Sequence, residues 1–334
     1  MKNRLERKNS FDGNLTYGAK NFNLKTGRDV HLKNRAVSPN YYSKKTNKIK
    51  PSFLNYRECP LCNSNDASLL FNKLGFNHAR CRNCDLVYVN PILKEEKLHN
   101  FYLDEESYNN VLTNKLQIEL DKNRFNYHLD VIEQYMDMEK PGKILDVGAG
   151  PGTFVEVAKE RCWEPTAVEF NSFCVKRIKS LGIECIDEPL ENVDLPENSF
   201  DCVTLWAVFE HLQDPHNMLQ IINKLLRPGG ILAILVPNIN SLAARIMHER
   251  CATFSGDTHI NFFNYKTLTK IQEMNGFEVL EAETVFSEVN TIKNYLNYND
   301  PYVGDSEQEF EFLDPKIIHE NLLGYALVTY SKKN

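Results

Sequence analysis

The stretch from Lys143 to Gly152, KILDVGAGPG, limits the possible folds more than any other part of the sequence. Ile144, Leu145 and Val147 suit a strand buried on both faces, and the run then breaks into Gly148, Gly150 and Gly152 at alternate positions. Such a turn lets the backbone approach a ligand where a Cβ would clash. Phe154, Val155, Val157 and Ala158 follow at spacings that let a helix pack one face on a sheet. The helix N-terminus therefore points at the ligand.

Spacing separates this turn from its relatives. A dinucleotide fingerprint reads G-x-G-x-x-G, whereas here the glycines read G-x-G-x-G, with Asp146 two residues before the first. Glu169 comes 23 residues after Asp146, within a second apolar run, Thr166 to Phe170. An acid there can accept hydrogen bonds from two ribose hydroxyls. Some other nucleotide-binding α/β turn is the bland alternative. DVGAGPG with Glu169 resembles the class I S-adenosylmethionine-dependent methyltransferases. The resemblance implies S-adenosylmethionine as cofactor, held by Asp146, Gly148, Gly150, Gly152 and Glu169, with Trp206 near it at the end of the fourth strand. Asp187, Glu188 and Glu191 compete for an adenine contact, and the register does not choose among them.

From residue 141 onward the elements alternate as a doubly wound sheet requires. Strands are expected at 143–148, 165–170, 183–186, 201–206 and 230–236, with helices at 152–161, 172–181, 216–226 and 265–275. Strands from Phe277 to Thr284 and from Gly324 to Ser331 complete the α/β, seven-stranded, Rossmann-like sheet that the resemblance implies. Within this 141–334 domain, residues 285–320 read as an insertion rich in Tyr, Asn and acids, either a substrate lid or an oligomer contact.

Ahead of the sheet, Cys59, Cys62, Cys81 and Cys84 give C-x2-C-x18-C-x2-C, within the spacing of a four-thiolate zinc site. Four thiolates leave no open position, so a zinc ion there is structural. A small zinc ribbon is expected over 51–104, with His78 as a surface residue. Residues 105–140 read as a helical linker and cap, one long helix or two shorter ones, with Tyr108 facing the ligand.

Residues 1–50 carry 13 Lys or Arg against 3 Asp or Glu, so a basic tail precedes a body of net charge −16 in a chain of net −6. Its sparse apolar residues show no sustained period, which reads as disorder. The basic residues interleaved with Phe11, Tyr17, Phe22, Tyr41 and Tyr42 also suit a nucleic-acid arm. No stretch is long and apolar enough to cross a membrane, and no secretion signal precedes the charges. Nine cysteines, five of them outside the paired units, fit a reducing compartment, so the cytoplasm is the expected location.

Methyl transfer from a sulfonium needs alignment above all, and a base only when the acceptor carries a proton. Ligands of open α/β sheets lie beyond the carboxyl ends of the strands. His211 in FEHL, just after the fourth strand, is the best-placed base, with Glu210 second and His259 of the THINFF segment third. FEHL resembles small-molecule methyltransferases, and in sugar C-methyltransferases with an N-terminal zinc module the matching Glu-His pair is implicated in proton removal. The chain departs from those enzymes by ending just after its last strand, which leaves O-methylation open beside C-methylation. No Asn/Asp-Pro-Pro-aromatic motif follows the fourth strand and no cysteine of the later domain follows a proline, which argues against exocyclic or C5 methylation of nucleic-acid bases. The expected acceptor is a small molecule, a sugar or sugar nucleotide. The rivals are an RNA methyltransferase that binds through ribbon and tail, and a non-catalytic assembly protein that retains the cofactor fold. The oligomeric state is not legible.

Overall fold

The computed structural model describes residues 3–28, 48–94, 106–136 and 142–334. Its elements in chain order are helices α1 (Arg4–Phe11), α2 (Gly13–Tyr17) and α3 (Ala19–Thr26), then strands β1 (Leu54–Asn55), β2 (Ala67–Lys73), β3 (Phe76–Cys81), β4 (Val87–Val89) and β5 (Ile92–Leu93). Helices α4 (Glu106–Leu112) and α5 (Lys115–Gln134) lead to β6 (Lys143–Val147), α6 (Thr153–Glu160), β7 (Glu164–Val168), α7 (Ser172–Ser180) and β8 (Glu184–Ile186). There follow β9 (Phe200–Trp206), α8 (Pro215–Leu225), β10 (Leu226–Pro237), α9 (Leu242–Met247), β11 (Asn261–Phe262) and α10 (Tyr265–Met274). The chain closes with β12 (Phe277–Val285), α11 (Val289–Leu296), α12 (Pro315–Glu320) and β13 (Ala326–Lys333).

The seven-stranded sheet runs β12-β13-β10-β9-β6-β7-β8. Its strands are parallel from β10 to β8, and β13 enters antiparallel between β10 and β12. Strand alternation sends Ile144, Cys202, Trp206 and Tyr330 to one face, where they meet Phe11, Phe125, Tyr127 and Phe154. Leu145, Val147, Val203 and Leu205 go to the other face, beneath Met218 and Leu219 of α8 and Leu268 and Ile271 of α10. That second core also contains Cys59, Leu61, Cys81, Cys84 and Leu86. The cysteine-rich unit is thus packed onto the sheet's own core, and burying Leu61 alone stabilises it by roughly 2 kcal/mol.

The tail expected to be disordered is helical over residues 4–26. Asn3 caps α1 through a reciprocal bond with Glu6. Asp12 caps α2 and also accepts from the Ser287 amide and hydroxyl at 2.8 and 2.9 Å. Phe11 and Phe22, which the sequence offered as base-stacking residues, are buried. The tail's cations meet the acidic body: Arg4 pairs with Glu281, Arg7 with Asp130 at 2.6 Å, and Lys8 with Glu283 at 2.6 Å in a buried pair. A few apolar anchors and complementary charge do what a regular apolar period would otherwise do. The rest of the tail, residues 29–47, lies outside the described residues, as does the side chain of Tyr108.

Of the two forms expected for the linker, one long helix or two shorter ones, the structure has two helices, broken at Asn114, whose side chain caps α5. His78 is fully buried rather than on the surface, stacked on Phe71 at 4.6 Å and packed against Phe254 and Phe262; burial pushes its imidazole down to about 4. The 285–320 insertion is anchored, since Val289, Ile292, Leu313 and Ile318 share a third core with Val87, Val89 and Phe254.

Candidate functional site

The glycine turn after β6 is held by the end of β7, 19 or 20 positions further along the chain. Gly148 and Ala149 donate their amides to the Val168 carbonyl at 2.8 and 3.1 Å, which ties the turn to the end of β7. A Cβ on Gly148 would sit 2.5 Å from Val208, so the close approach of the loop after β9 requires glycine there. Gly150 has φ +52°, and a Cβ on it would meet no atom within 4 Å, so the turn is open at its tip. Its amide donates to Glu169 Oε2 at 2.7 Å, while Oε1 of the same carboxylate accepts from the amides of Phe170 and Asn171 at 2.9 and 2.8 Å. Burial pushes the Glu169 carboxyl up and these amides pull it down. Glu169 therefore closes the turn, with lone-pair capacity left for a ligand.

Asp146 lies 1% exposed on β6 and accepts from the Thr204 hydroxyl of β9 at 2.7 Å. Burial pushes its carboxyl up to about 8, against the Thr204 bond and with the Glu169 charge adding. Trp206 is packed behind the turn, stacked on His128 at 4.8 Å and tilted against Phe125 and Phe154. Phe154 is the second residue of α6, so Trp206 supports the helix that starts at Gly152.

On the other side of Val208 the chain leaves β9 through Ala207, whose φ of +59° is a left-handed conformation that strains a residue with a Cβ. Glu210 and His211 follow in a short 3-10 turn. His211 and His259, 48 positions apart in sequence, come together with ring centroids 4.9 Å apart. His211 donates Nδ1–H to the Thr258 carbonyl at 2.9 Å, and His259 donates Nδ1–H to the Thr253 carbonyl at 2.9 Å. Glu210 is 1% exposed, with Oε1 3.8 Å from His211 Nε2 and neither oxygen hydrogen-bonded among the described residues. Burial pushes its carboxyl up to about 8.

The loop bearing His259 is fixed by the cysteine-rich unit. β11 pairs antiparallel with β4, Asn261 opposite Tyr88, and so becomes the last strand of the sheet β11-β4-β3-β2. Arg57 reaches across to donate to the Ile260 carbonyl at 2.7 Å, to Asn261 Oδ1 at 2.9 Å and to the Val89 carbonyl at 3.2 Å. Sequence reasoning missed Arg57, whose partners at 260 and 261 lie 203 and 204 positions away, and it missed Thr204 and the two threonine carbonyls, because a buried hydroxyl or a backbone acceptor carries no residue-type signal.

The four cysteine sulfurs lie within 4.8 Å of one another, with Cys59 and Cys84 at 3.5 Å and Cys62 and Cys81 at 3.5 Å. Asn63 and Asp85, each in the residue after a pair's second cysteine, have φ of 56° and 66° and turn the two knuckles. This set of four soft donors fits zinc. The knuckle is docked by His216 of α8, which donates Nε2–H to the Leu61 carbonyl at 3.1 Å and accepts from Asn275.

Comparison with known proteins gives one family: residues 120–282 match the model of a methyltransferase domain. The chain is 33% identical over 121 residues to a ubiquinone biosynthesis O-methyltransferase of Idiomarina loihiensis, covering 34% of this chain and 49% of that protein. It is 28% identical over 152 residues to a probable S-adenosylmethionine-dependent methyltransferase of Mycolicibacterium smegmatis, 43% of this chain and 54% of that one. The chain thus spans about half the length of these two relatives. A solved structure of 1,6-didemethyltoxoflavin-N1-methyltransferase from Burkholderia thailandensis superposes with a TM-score of 0.48 at 16% identity, covering 80% of this chain and 99% of that one. The matched segment runs from α5 into β12 and so takes in the glycine turn and every parallel strand of the sheet.

Proposed function

We propose that the protein transfers the methyl group of S-adenosylmethionine to a small-molecule acceptor, a sugar or sugar nucleotide, at oxygen or carbon. The observation that carries this reading is the division of the sheet's carboxyl edge. The glycine turn, Asp146 and Glu169 occupy the ends of β6 and β7, and the Glu210, His211 and His259 group stands beyond β9 on the other side of Val208. S-adenosylmethionine supplies a methyl group already activated on its sulfonium sulfur. The protein's task is to align the acceptor and remove its proton.

His211 is the proton acceptor in this reading. Its Nδ1–H bond to the Thr258 carbonyl fixes the neutral tautomer whose Nε2 carries the lone pair. Glu210, with Oε1 3.8 Å from that nitrogen, favours the resulting imidazolium when its carboxyl is ionised. Zinc in the four-cysteine site is structural, and metal analysis should find that ion lost in Cys81→Ser. A folded protein with no zinc in the wild type would contradict that assignment.

The saccharide reading rests on the resemblance of FEHL and the zinc module to sugar-modifying enzymes. Its test is transfer of label from radiolabelled S-adenosylmethionine into an extract of the source cell, with products separated by size and nuclease sensitivity. Label in small, nuclease-resistant sugar derivatives supports it. Label in RNase-sensitive polymer overturns it in favour of an RNA substrate. Cofactor binding without transfer to anything would favour the assembly-protein alternative.

A further inference from the structure

Glu210, His211 and His259 offer one oxygen and two ring nitrogens that all lie within 4.8 Å of one another. A carbonyl can only accept, so the bonds to Thr258 and Thr253 place each ring's proton on Nδ1 and leave Nε2 as the basic nitrogen. The Glu210 carboxyl is nine-tenths buried or better, and both its oxygens lack a hydrogen-bond partner among the described residues. Leaving such a group unsatisfied costs about 1–3 kcal/mol or more. A proton shared between Glu210 and His211 does not resolve this, because Oε1 and Nε2 are 3.8 Å apart and a hydrogen bond between them needs about 2.6–3.2 Å. An ion can. Ligand atoms each bound at about 2.0–2.2 Å to one ion stand roughly 3–4 Å from one another.

We propose that Glu210, His211 and His259 form a second metal site, for a zinc-type divalent cation, chemically unlike the four-cysteine one. Two imidazoles and a carboxylate leave a fourth position open, as metal sites that act on a substrate do, whereas four thiolates close theirs. The outer contacts are those a metal site needs: each ring gives its other N–H to a backbone carbonyl, which sets tautomer and orientation. The support is rigid as well, since the His259 loop is held by the β11–β4 pairing and by Arg57, and the Ile260 amide donates to the Glu210 carbonyl at 3.1 Å. The inference rests on the proposed function only in placing the ion beside the acceptor. There, a cation draws electron density from an acceptor oxygen and eases loss of its proton: with the ion bound, His211 is a ligand and the proton goes to water, and without it His211 is the proton acceptor of the proposed function.

The test counts ions in the full chain. Protein dialysed against zinc and then against zinc-free buffer is analysed by mass spectrometry, beside the isosteric Glu210→Gln and His259→Ala, with circular dichroism to verify folding. The expected result is two ions per wild-type chain and one in each variant. Cobalt in place of zinc supplies a second readout. The sulfur-to-cobalt charge-transfer bands of the cysteine site should persist in Glu210→Gln while the thiolate-free component disappears. Equal ion counts in wild type and Glu210→Gln, or a single ion in the wild type, overturn the site. Label transfer into the extract is measured in parallel: one ion with transfer intact overturns the metal site alone, and two ions with no transfer overturn the methyl-transfer reading alone.

Discussion

The ends of β6 and β7 hold their geometry with bonds inside one short stretch of chain, while the group beyond β9 depends on residues far away in the chain. Between Asp146 and Asn171 the turn is closed by Gly148 and Ala149 on the Val168 carbonyl and by Glu169 on the amides of Gly150, Phe170 and Asn171. Glu210, His211 and His259 meet because β11 pairs with β4 and Arg57 crosses to residues 260 and 261. The proposed cofactor half lies within one short stretch of chain, and the proposed acceptor half is an assembly between the sheet and the cysteine-rich unit. The difference teaches that the cysteine-rich unit has a task beyond stability: it sets where His259 stands.

The largest effect that would sharpen this comparison is on chemistry alone. His211→Ala should lower label transfer by on the order of 10²–10⁴-fold while S-adenosylmethionine affinity by calorimetry stays near wild type. A parallel loss of affinity would merge the two halves. Next, Glu169→Ala removes the acceptor of three amides and any ribose contact, and should weaken cofactor binding by about ten- to a hundredfold with the fold intact. Unchanged affinity would break the cofactor assignment.

The smallest effect concerns Glu288, at the start of α11, with φ +54° and a buried Oε2 that has no hydrogen-bond partner among the described residues. Burial, with the Asp12 charge adding, pushes its carboxyl from 4.5 up to about 8. A carboxyl raised in the folded state contributes stability that is complete below about pH 4.5 and lost as pH rises through about 8. Gln cannot ionise, so the melting temperature of Glu288→Gln should gain on wild type as pH rises from 5 to about 9. A difference that does not change with pH would contradict this.

The same contrast explains what could be read in advance. The glycine turn, the strand sequence and the cysteine spacing are patterns of near neighbours, and the sheet has the seven strands that the resemblance implies. His211 and His259 could be named from their place after strands and in a loop. Their meeting could not, because it depends on Arg57 and Tyr88, which carry no local signal of that role. The tail misled for a related reason: Phe11, Lys8 and Asp12 look like isolated residues of a charged segment, and their partners Tyr127, Glu283 and Ser287 lie more than a hundred positions away.

The most direct test of the division between the halves is Arg57→Ala, measured for S-adenosylmethionine affinity and for label transfer on the same folded preparation. Arg57 touches neither the glycine turn nor Glu169, yet it makes two of the bonds that hold the His259 loop. Affinity should remain within about twofold of wild type while transfer falls by roughly tenfold or more, the loss expected when a positioning contact is removed. Equal loss of both, or transfer that is unaffected, would contradict the proposed acceptor half set by the cysteine-rich unit.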